Sequence, residues 1–225
     1  FEIPFSVEQL EQAKTEALAK SGLESAYVRA VAWRGSEMMG VSAQNNTIHL
    51  AVAVWHWGDY FADKMKGIRM THAQWRRPAP DTAPCHAKAA GLYMICTLSK
   101  HAAERDGYAD ALMLDYRGQI AEATGANIFF VRDGALHTPT PDCFLNGLTR
   151  QTAIRLAKER GIEVIERAIF PDELSTFSEC FITGSAAEIT PVAEIGEHTF
   201  KPGQISEALV NDYTALVNGR LELAL

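Results

Sequence analysis

Lys88 stands in the stretch PCHAKAAGLYM, residues 84–94, among Ala87, Ala89, Ala90 and Gly91. Such small neighbours offer an ammonium no counter-charge. Where burial strips its water the neutral amine is favoured, and a neutral amine is both a base and a nucleophile that forms Schiff bases with aldehydes. The alternative is a lysine whose stem packs while its head reaches water. Glu122 closes the run QIAE and is followed by Ala123-Thr124-Gly125-Ala126-Asn127. A carboxylate beside small residues leaves room for a flat ring, and beside a pyridine nitrogen it would keep that nitrogen protonated and the ring an electron sink. The alternative is a strand-end glutamate in water. Two further stretches suit an anion. Leu145-Asn146-Gly147-Leu148-Thr149-Arg150 leads into a helix, whose first N–H groups are unpaired at the positive end of the dipole. Thr183-Gly184-Ser185-Ala186-Ala187 is a small-residue turn with hydroxyls and amides. An ordinary cap and an ordinary turn account for each of these equally well when taken singly.

The elements that must position these groups follow from residue pattern. Ser6-Val7-Glu8-Gln9 reads as a capping box, and Val7, Leu10, Ala13, Ala17 and Leu18 recur at helical spacing until Gly22. AYVRAVAW, residues 26–33, alternates as a strand, and the period of two sets Tyr27, Arg29, Val31 and Trp33 on one face. Residues 36–46 read as a loop, and TIHLAVAVW, 47–55, as a second strand apolar enough to be buried. WHWGDY, 55–60, reads as a bend between two parts of the chain. Beyond it come a strand over 68–75, a proline-rich loop, and a helix from Gly91 to Arg105 that ends at Gly107. ADALMLD and QIAEA flank Tyr116-Arg117-Gly118, and NIFFVRD and ALHTP flank Asp133-Gly134, which makes two hairpins. A helix over 149–160, a strand in IEVIERAIF, a short helix in PDELSTF, a strand in SECFITGS and a helix over 205–218 complete the chain. There is no βαβα alternation and no G-x-G-x-x-G. The expected class is α+β, with a small lobe over 1–54, a connector over 55–62 and a larger lobe over 63–225.

Composition narrows the function classes. The 225 residues are 47% hydrophobic and 22% charged, and 21 basic against 28 acidic side chains give a formal charge of −7. An acidic chain without a basic run is a poor nucleic-acid binder, and Arg76-Arg77 and Lys64/Lys66 read as ordinary surface charge. No apolar run approaches the length that spans a bilayer, and no signal-peptide pattern is present. Cys85, Cys96, Cys143 and Cys180 have neither zinc-site nor disulfide-framework spacing. A cytoplasmic protein is expected, with no metal, no nucleic acid and no membrane partner. The chain opens FEIPFS, without an initiator Met.

Taken in order, YVR, WGDY, AKAAGLY, IAEATGANIFF, LNGLTRQ and TGSAAEITPV resemble the branched-chain aminotransferases, within the class IV (fold-type IV) pyridoxal-phosphate enzymes. The likeness runs collinearly from about Tyr27 to Val192. It implies a two-lobed fold and pyridoxal 5′-phosphate as cofactor. Lys88 is implied as the lysine that joins the cofactor through a Schiff base and moves the substrate proton. Tyr93 is implied to bond the cofactor's phenolate oxygen, and Glu122 to pair with its ring nitrogen. Leu148, Thr149 and Ser185 are implied to hold its phosphate; the family more often has Thr where Ser185 stands. Ala186 is implied to offer its amide to the substrate carboxylate, with Ser185 beside it. Tyr27, Arg29 and Tyr60 match substrate-pocket positions, where Arg29 would grip the second carboxylate of glutamate. The implied reaction is transamination of Leu, Ile or Val with 2-oxoglutarate, in a homodimer or higher homo-oligomer. Other class IV chemistries stand as alternatives: a D-amino-acid transaminase, an aminodeoxychorismate lyase or an amine transaminase. A binding domain without catalysis is another. The family also carries a segment ahead of the counterpart of Phe1, with strands of the small lobe and a phosphate-binding arginine, so a longer intact protein is expected. The loop 36–46 differs from the family's proline-containing version.

Overall fold

The computed structural model describes residues 2–58 and 64–223. The chain divides into two compact units, Phe1–Tyr60 and Phe61–Leu225. Tyr60, one of the expected substrate-pocket residues, lies outside the described residues.

In the first unit, α1 (Val7–Ser21) begins as its sequence dictates. The Ser6 hydroxyl accepts from the Gln9 N–H, the Gln9 side chain accepts from the Ser6 N–H, and Gly22 ends the helix at φ 69°. Strands β1 (Tyr27–Arg34) and β2 (Ile48–Trp55) form an antiparallel hairpin that pairs Tyr27 with Trp55 and Arg34 with Ile48. The register sets Tyr27, Arg29, Val31 and Trp33 on one face with His49, Ala51, Ala53 and Trp55. Tyr27 packs on Trp55 and on Trp57, with ring centroids 5.0 Å and 4.5 Å away. Contrary to expectation, β2 is not a buried strand. Ile48, Leu50, Val52 and Val54 are half-buried, while His49, Ala51 and Ala53 are exposed. Its apolar run looked continuous because alanines fill two outward positions, and a two-stranded hairpin has only one face to cover.

The second unit is built on a larger sheet. Its strands are β3 (Ile68–His72), β4 (Asp110–Leu114), β5 (Ile120–Ala123), β6 (Asn127–Arg132), β7 (Ala135–Pro139), β8 (Val164–Arg167), β9 (Glu179–Gly184), β10 (Glu188–Ile195) and β11 (His198–Thr199). Its helices are α2 (Met94–Arg105), α3 (Leu148–Glu159) and α4 (Gln204–Val217). Pairing runs β10–β3–β4–β5–β6, and β9 joins β6 back to β10. Six strands therefore close on themselves, while β7 and β8 continue outward from β6, and β11 pairs only with β10. Within β6 the run Ile128–Val131 is apolar at every position because the strand faces two cores. Ile128 and Phe130 enter one with Met70, Leu112, Ile182 and Val192; Phe129 and Val131 enter the other with Phe181 and with Ala153 and Leu156 of α3.

Asp133-Gly134 makes the expected tight turn, with φ of 53° and 78°. α2 starts three residues later than expected, after a 3-10 turn over Ala90–Tyr93. β10 was not among the expected strands, and Pro191 stands in its middle. Pro191 sits where β10 leaves β9 and takes up β3, so its missing N–H falls at a change of partner. No helix among the described residues is long and apolar enough to cross a membrane.

One buried carboxylate fastens the turn between β5 and β6. Asp110, 3% exposed, accepts at Oδ1 from the N–H of Ala111 (2.7 Å), the N–H of Thr124 (3.2 Å) and the Thr124 hydroxyl (2.6 Å). Asp110→Ala leaves these donors without an acceptor and is expected to destabilise the protein by about 3 kcal/mol. Urea unfolding measures this, and a loss well below about 1 kcal/mol would show the clamp to be dispensable.

Candidate active site

The ends of three strands gather the candidate groups of the second unit. Glu122 is opposite Asn127, and Asn127 is opposite Thr183, so one row crosses β5, β6 and β9. Side chains at directly opposed positions share a face. All three are buried. The Asn127 amide is the joint of the row. Its Nδ2 lies 3.4 Å from Glu122 Oε2 and donates to the Leu145 carbonyl at 2.9 Å, while its Oδ1 accepts from the Gly147 N–H at 3.2 Å. Leu145 and Gly147 belong to the loop that opens α3. The approach is so close that a Cβ at position 147 would meet Asn127 Oδ1 at 2.5 Å, which only glycine avoids. Asn127 thereby ties the carboxyl of Glu122 to the start of a helix.

That start suits an anion. Gly147 is the N-cap residue and supplies no side-chain cap, and no acidic residue occupies the first turn. The Thr149 side chain is buried there, whereas the Leu148 side chain is exposed, so Leu148 can serve only through its backbone. The turn Ser185–Ala187 joins β9 to β10 and ends on Glu188 in the left-handed region at φ 54°. Gly184 lies against Gly125 and Ala126 of the β5–β6 turn, so Ser185 and Ala186 stand beside the Glu122 row. The Thr183 hydroxyl within that row is buried and has no partner among the described residues.

Lys88 is exposed, as are residues 86–91 around it. The expected desolvation by its own segment is absent. Alanine and glycine carry too little bulk to cover a four-carbon stem. Its charge is nevertheless near enough to Glu122 to favour the carboxylate there. Tyr93, half-buried, closes the 3-10 turn five residues on.

Arg77 is the residue that sequence reading misplaced. Taken with Arg76 as surface charge, it is only 4% exposed. Its Nε lies 3.3 Å from Glu122 Oε1, and its Nη1 donates to the Leu92 carbonyl (3.3 Å) and the Cys96 sulfur (3.4 Å). A lone bridge to Asp115 holds its backbone at the sheet, with its N–H on the Leu114 carbonyl at 2.8 Å. Arg77 thus spans from Glu122 to the segment that carries Tyr93. A two-residue basic pair carries no signal of burial, so nothing in the sequence marked it. Burial nonetheless dominates at Glu122, pushing its carboxyl up to about 8 against the pull of Arg77 and Lys88.

Tyr27 and Arg29 belong to the first unit, where Arg29 is exposed and shares a face with Tyr27. Trp57, which sequence reading placed only in a bend, completes an aromatic cluster with Tyr27 and Trp55. The four cysteines are free and buried. In the second unit a buried carboxyl is tied through Asn127 to a helix start without a side-chain cap, and the Lys88 charge is near enough to act on that carboxyl. That set fits a flat ring bearing a basic nitrogen and an anionic group.

Glu122 binds its proton more tightly folded than unfolded, so through this group stability falls as pH rises from about 4.5 towards 8. Glu122→Gln removes the dependence. In urea unfolding of the ligand-free protein, wild type should lose stability relative to the variant between about pH 5 and 8, by on the order of 1 kcal/mol or more. A difference that stays flat would mean that Glu122 is ionised throughout.

Comparison with known proteins identifies the family. The family model for amino-transferase class IV matches residues 1–195. A branched-chain-amino-acid aminotransferase of Pseudomonas aeruginosa is 35% identical over 226 residues, which cover 98% of this chain and 74% of that protein. The crystal structure of a branched-chain aminotransferase from Thermoproteus uzoniensis with norvaline superposes with a TM-score of 0.94 at 33% identity, covering 99% of this chain and 75% of that one. A second branched-chain amino acid aminotransferase, from T.th., complexed with N-(5′-phosphopyridoxyl)-L-glutamate, does so with a TM-score of 0.92 at 37% identity, covering 98% and 74%. The α+β, fold-type IV expectation holds, and the chain belongs to the class IV amino-transferase family and is an aminotransferase.

Proposed function

We propose that this aminotransferase uses pyridoxal 5′-phosphate to exchange amino groups between branched-chain L-amino acids (Leu, Ile, Val) and 2-oxoglutarate. The observation that carries the reading is the Glu122–Asn127–Gly147 connection, which sets a carboxyl for a ring nitrogen at a fixed place relative to a helix start for a phosphate. The fit is supported by the orphaned Thr183 hydroxyl within that row. When bound, the cofactor supplies an electron sink for the bond broken at the substrate Cα.

The chain's own residues divide the remaining work. Lys88 Nζ anchors the cofactor, then takes the proton from the substrate Cα and returns it on the other side of the exchange. Tyr93 donates to the cofactor's phenolate oxygen. Glu122, held by Arg77, shares a proton with the ring nitrogen; a carboxyl whose pKa lies well above the usual carboxylate range matches a pyridine more closely than a solvated one would. The amides of Leu148 and Thr149, the Thr149 hydroxyl and the Ser185 hydroxyl hold the phosphate. The amide of Ala186, with Ser185, receives the substrate carboxylate. In the first unit, which we assign as the small lobe, Tyr27 is assigned to the substrate's aliphatic side chain; Tyr60, matched to the same role by its motif, lies outside the described residues. Arg29 takes the γ-carboxylate when glutamate or 2-oxoglutarate enters. The relatives' names support the branched-chain substrates, and a relative's complex with a phosphopyridoxyl-glutamate supports glutamate as the second one. We place the working form as a homodimer or higher homo-oligomer.

The test is a half-reaction on the protein loaded with pyridoxal phosphate. L-leucine is expected to shift its visible absorbance and release the matching 2-oxo acid, D-alanine to do neither, and Lys88→Ala to lose turnover by several orders of magnitude. Conversion of D-alanine but not L-leucine would overturn the substrate assignment. Turnover retained in Lys88→Ala would overturn the role of that lysine.

A further inference from the structure

Arg150 heads the fully buried side chains by size and is 1% exposed. Its place looks unfavourable. It is the third residue of α3, where a cation opposes the helix dipole, and a guanidinium loses much hydration on burial. Its Nε also lacks a partner among the described residues. The other nitrogens are engaged in three directions. Nη1 donates to Asn146 Oδ1 at 2.9 Å, and Nη2 to the Pro139 carbonyl at 3.1 Å and to Glu166 Oε2 at 2.6 Å. Pro139 ends β7, Glu166 lies in the neighbouring β8, and Asn146 belongs to the loop that opens α3. A planar fork is needed to reach all three at once. Asn127 grips the same loop at Leu145 and Gly147. The loop is therefore fastened between β6 and the β7–β8 pair.

We propose that Arg150 is a positioning residue for the phosphate-binding start of α3. Its guanidinium fixes the Asn146–Gly147–Leu148 backbone against β7 and β8, so that the first-turn amides converge on the phosphate. The two Nη groups are taken up by Asn146, Pro139 and Glu166, and the role is to aim amides rather than to supply a ligand. This rests on the assignment of that helix start to the phosphate of pyridoxal phosphate.

The experiment compares two probes, pyridoxal phosphate and pyridoxal, which share the ring and aldehyde and differ in the phosphate. Their Kd values are measured by absorbance titration on wild type, Arg150→Met, Arg150→Lys and Asn146→Ala. In Arg150→Met the preference for pyridoxal phosphate over pyridoxal is expected to fall about tenfold or more, with pyridoxal affinity nearly unchanged. Arg150→Lys keeps the charge but lacks the fork, and should not restore the preference. Asn146→Ala, an exposed position, should move the ratio in the same direction even if the Arg150 variants fail to fold. Parallel weakening of both probes, or an unchanged ratio in all variants, would reduce Arg150 to a structural tie and overturn the proposal. A wild type that does not prefer pyridoxal phosphate would instead overturn the phosphate assignment on which it rests.

Discussion

Glu122 carries a carboxyl out of water, and that single burial constrains most of what surrounds it. An ionised carboxylate in such a place needs a partner, and Arg77 supplies one at 3.3 Å. The pair does not cancel the cost: burial outweighs the pull of Arg77 and Lys88 and pushes the carboxyl well above the usual carboxylate range. Arg77 must then be buried as well, and its guanidinium finds further acceptors in the Leu92 carbonyl and the Cys96 sulfur. Those contacts decide where the 3-10 turn ending at Tyr93 and the first turn of α2 come to rest. On its other side Glu122 meets the Asn127 amide, which decides where α3 begins. A cationic or hydrogen-bonding ring nitrogen brought to Glu122 would find a carboxyl already fixed in direction and short of favourable partners.

The closed ring of strands is what makes one buried group able to reach so many elements. Closure through β9 brings the ends of β5, β6 and β9 side by side, although Glu122 and Thr183 are distant in sequence. An open sheet with the same strands would leave β9 at an edge and the Ser185–Ala187 turn away from the β5–β6 turn. The second unit reaches this arrangement with β3 and β10 paired in parallel, a contact between its first strand and its last long one. The branch formed by β7 and β8 then offers a second surface, and α3 lies over it with Ala153, Leu156 and Ala157 in the core shared with Phe129 and Phe181.

Local chemistry was legible wherever it acts within a few residues. The Ser6–Gln9 capping box, the Asp133-Gly134 turn and the hairpins on either side of Glu122 follow from side chains that satisfy or bend their own backbone. The order of small-residue motifs also marked Lys88, Glu122 and Thr149, which lie in the second unit, whereas Tyr27 and Arg29 belong to the first. What escaped were properties set by partners far along the chain. β10 was not among the expected strands, and the change of strand partner that accommodates its Pro191 depends on β3. Alanines at outward positions made β2 look buried, since a period-two reading cannot tell small and exposed from small and covered. Arg77 looked like surface charge, because only the fold sets Glu122 beside it.

The same distinction separates two kinds of residue in the site. Of the groups proposed to meet cofactor or substrate, Lys88, Leu148 and Ser185 are exposed and Tyr93 and Ala186 half-buried, while Glu122 and Thr149 are buried. Arg77, Asp110, Asn127 and Arg150 are buried and spend polar atoms on backbone groups and on neighbouring side chains. Motifs pick out the first kind because their residue types are tied to a reaction. The second kind has no such constraint on type, only on reach: an arginine fork that spans β7, β8 and a loop, or an amide that touches a carboxyl and a helix start together. Changes there alter the direction of groups rather than their chemistry. Affinity for one part of a ligand can then shift while the rest is unaffected, which is how a site of fixed chemistry can be tuned from beneath.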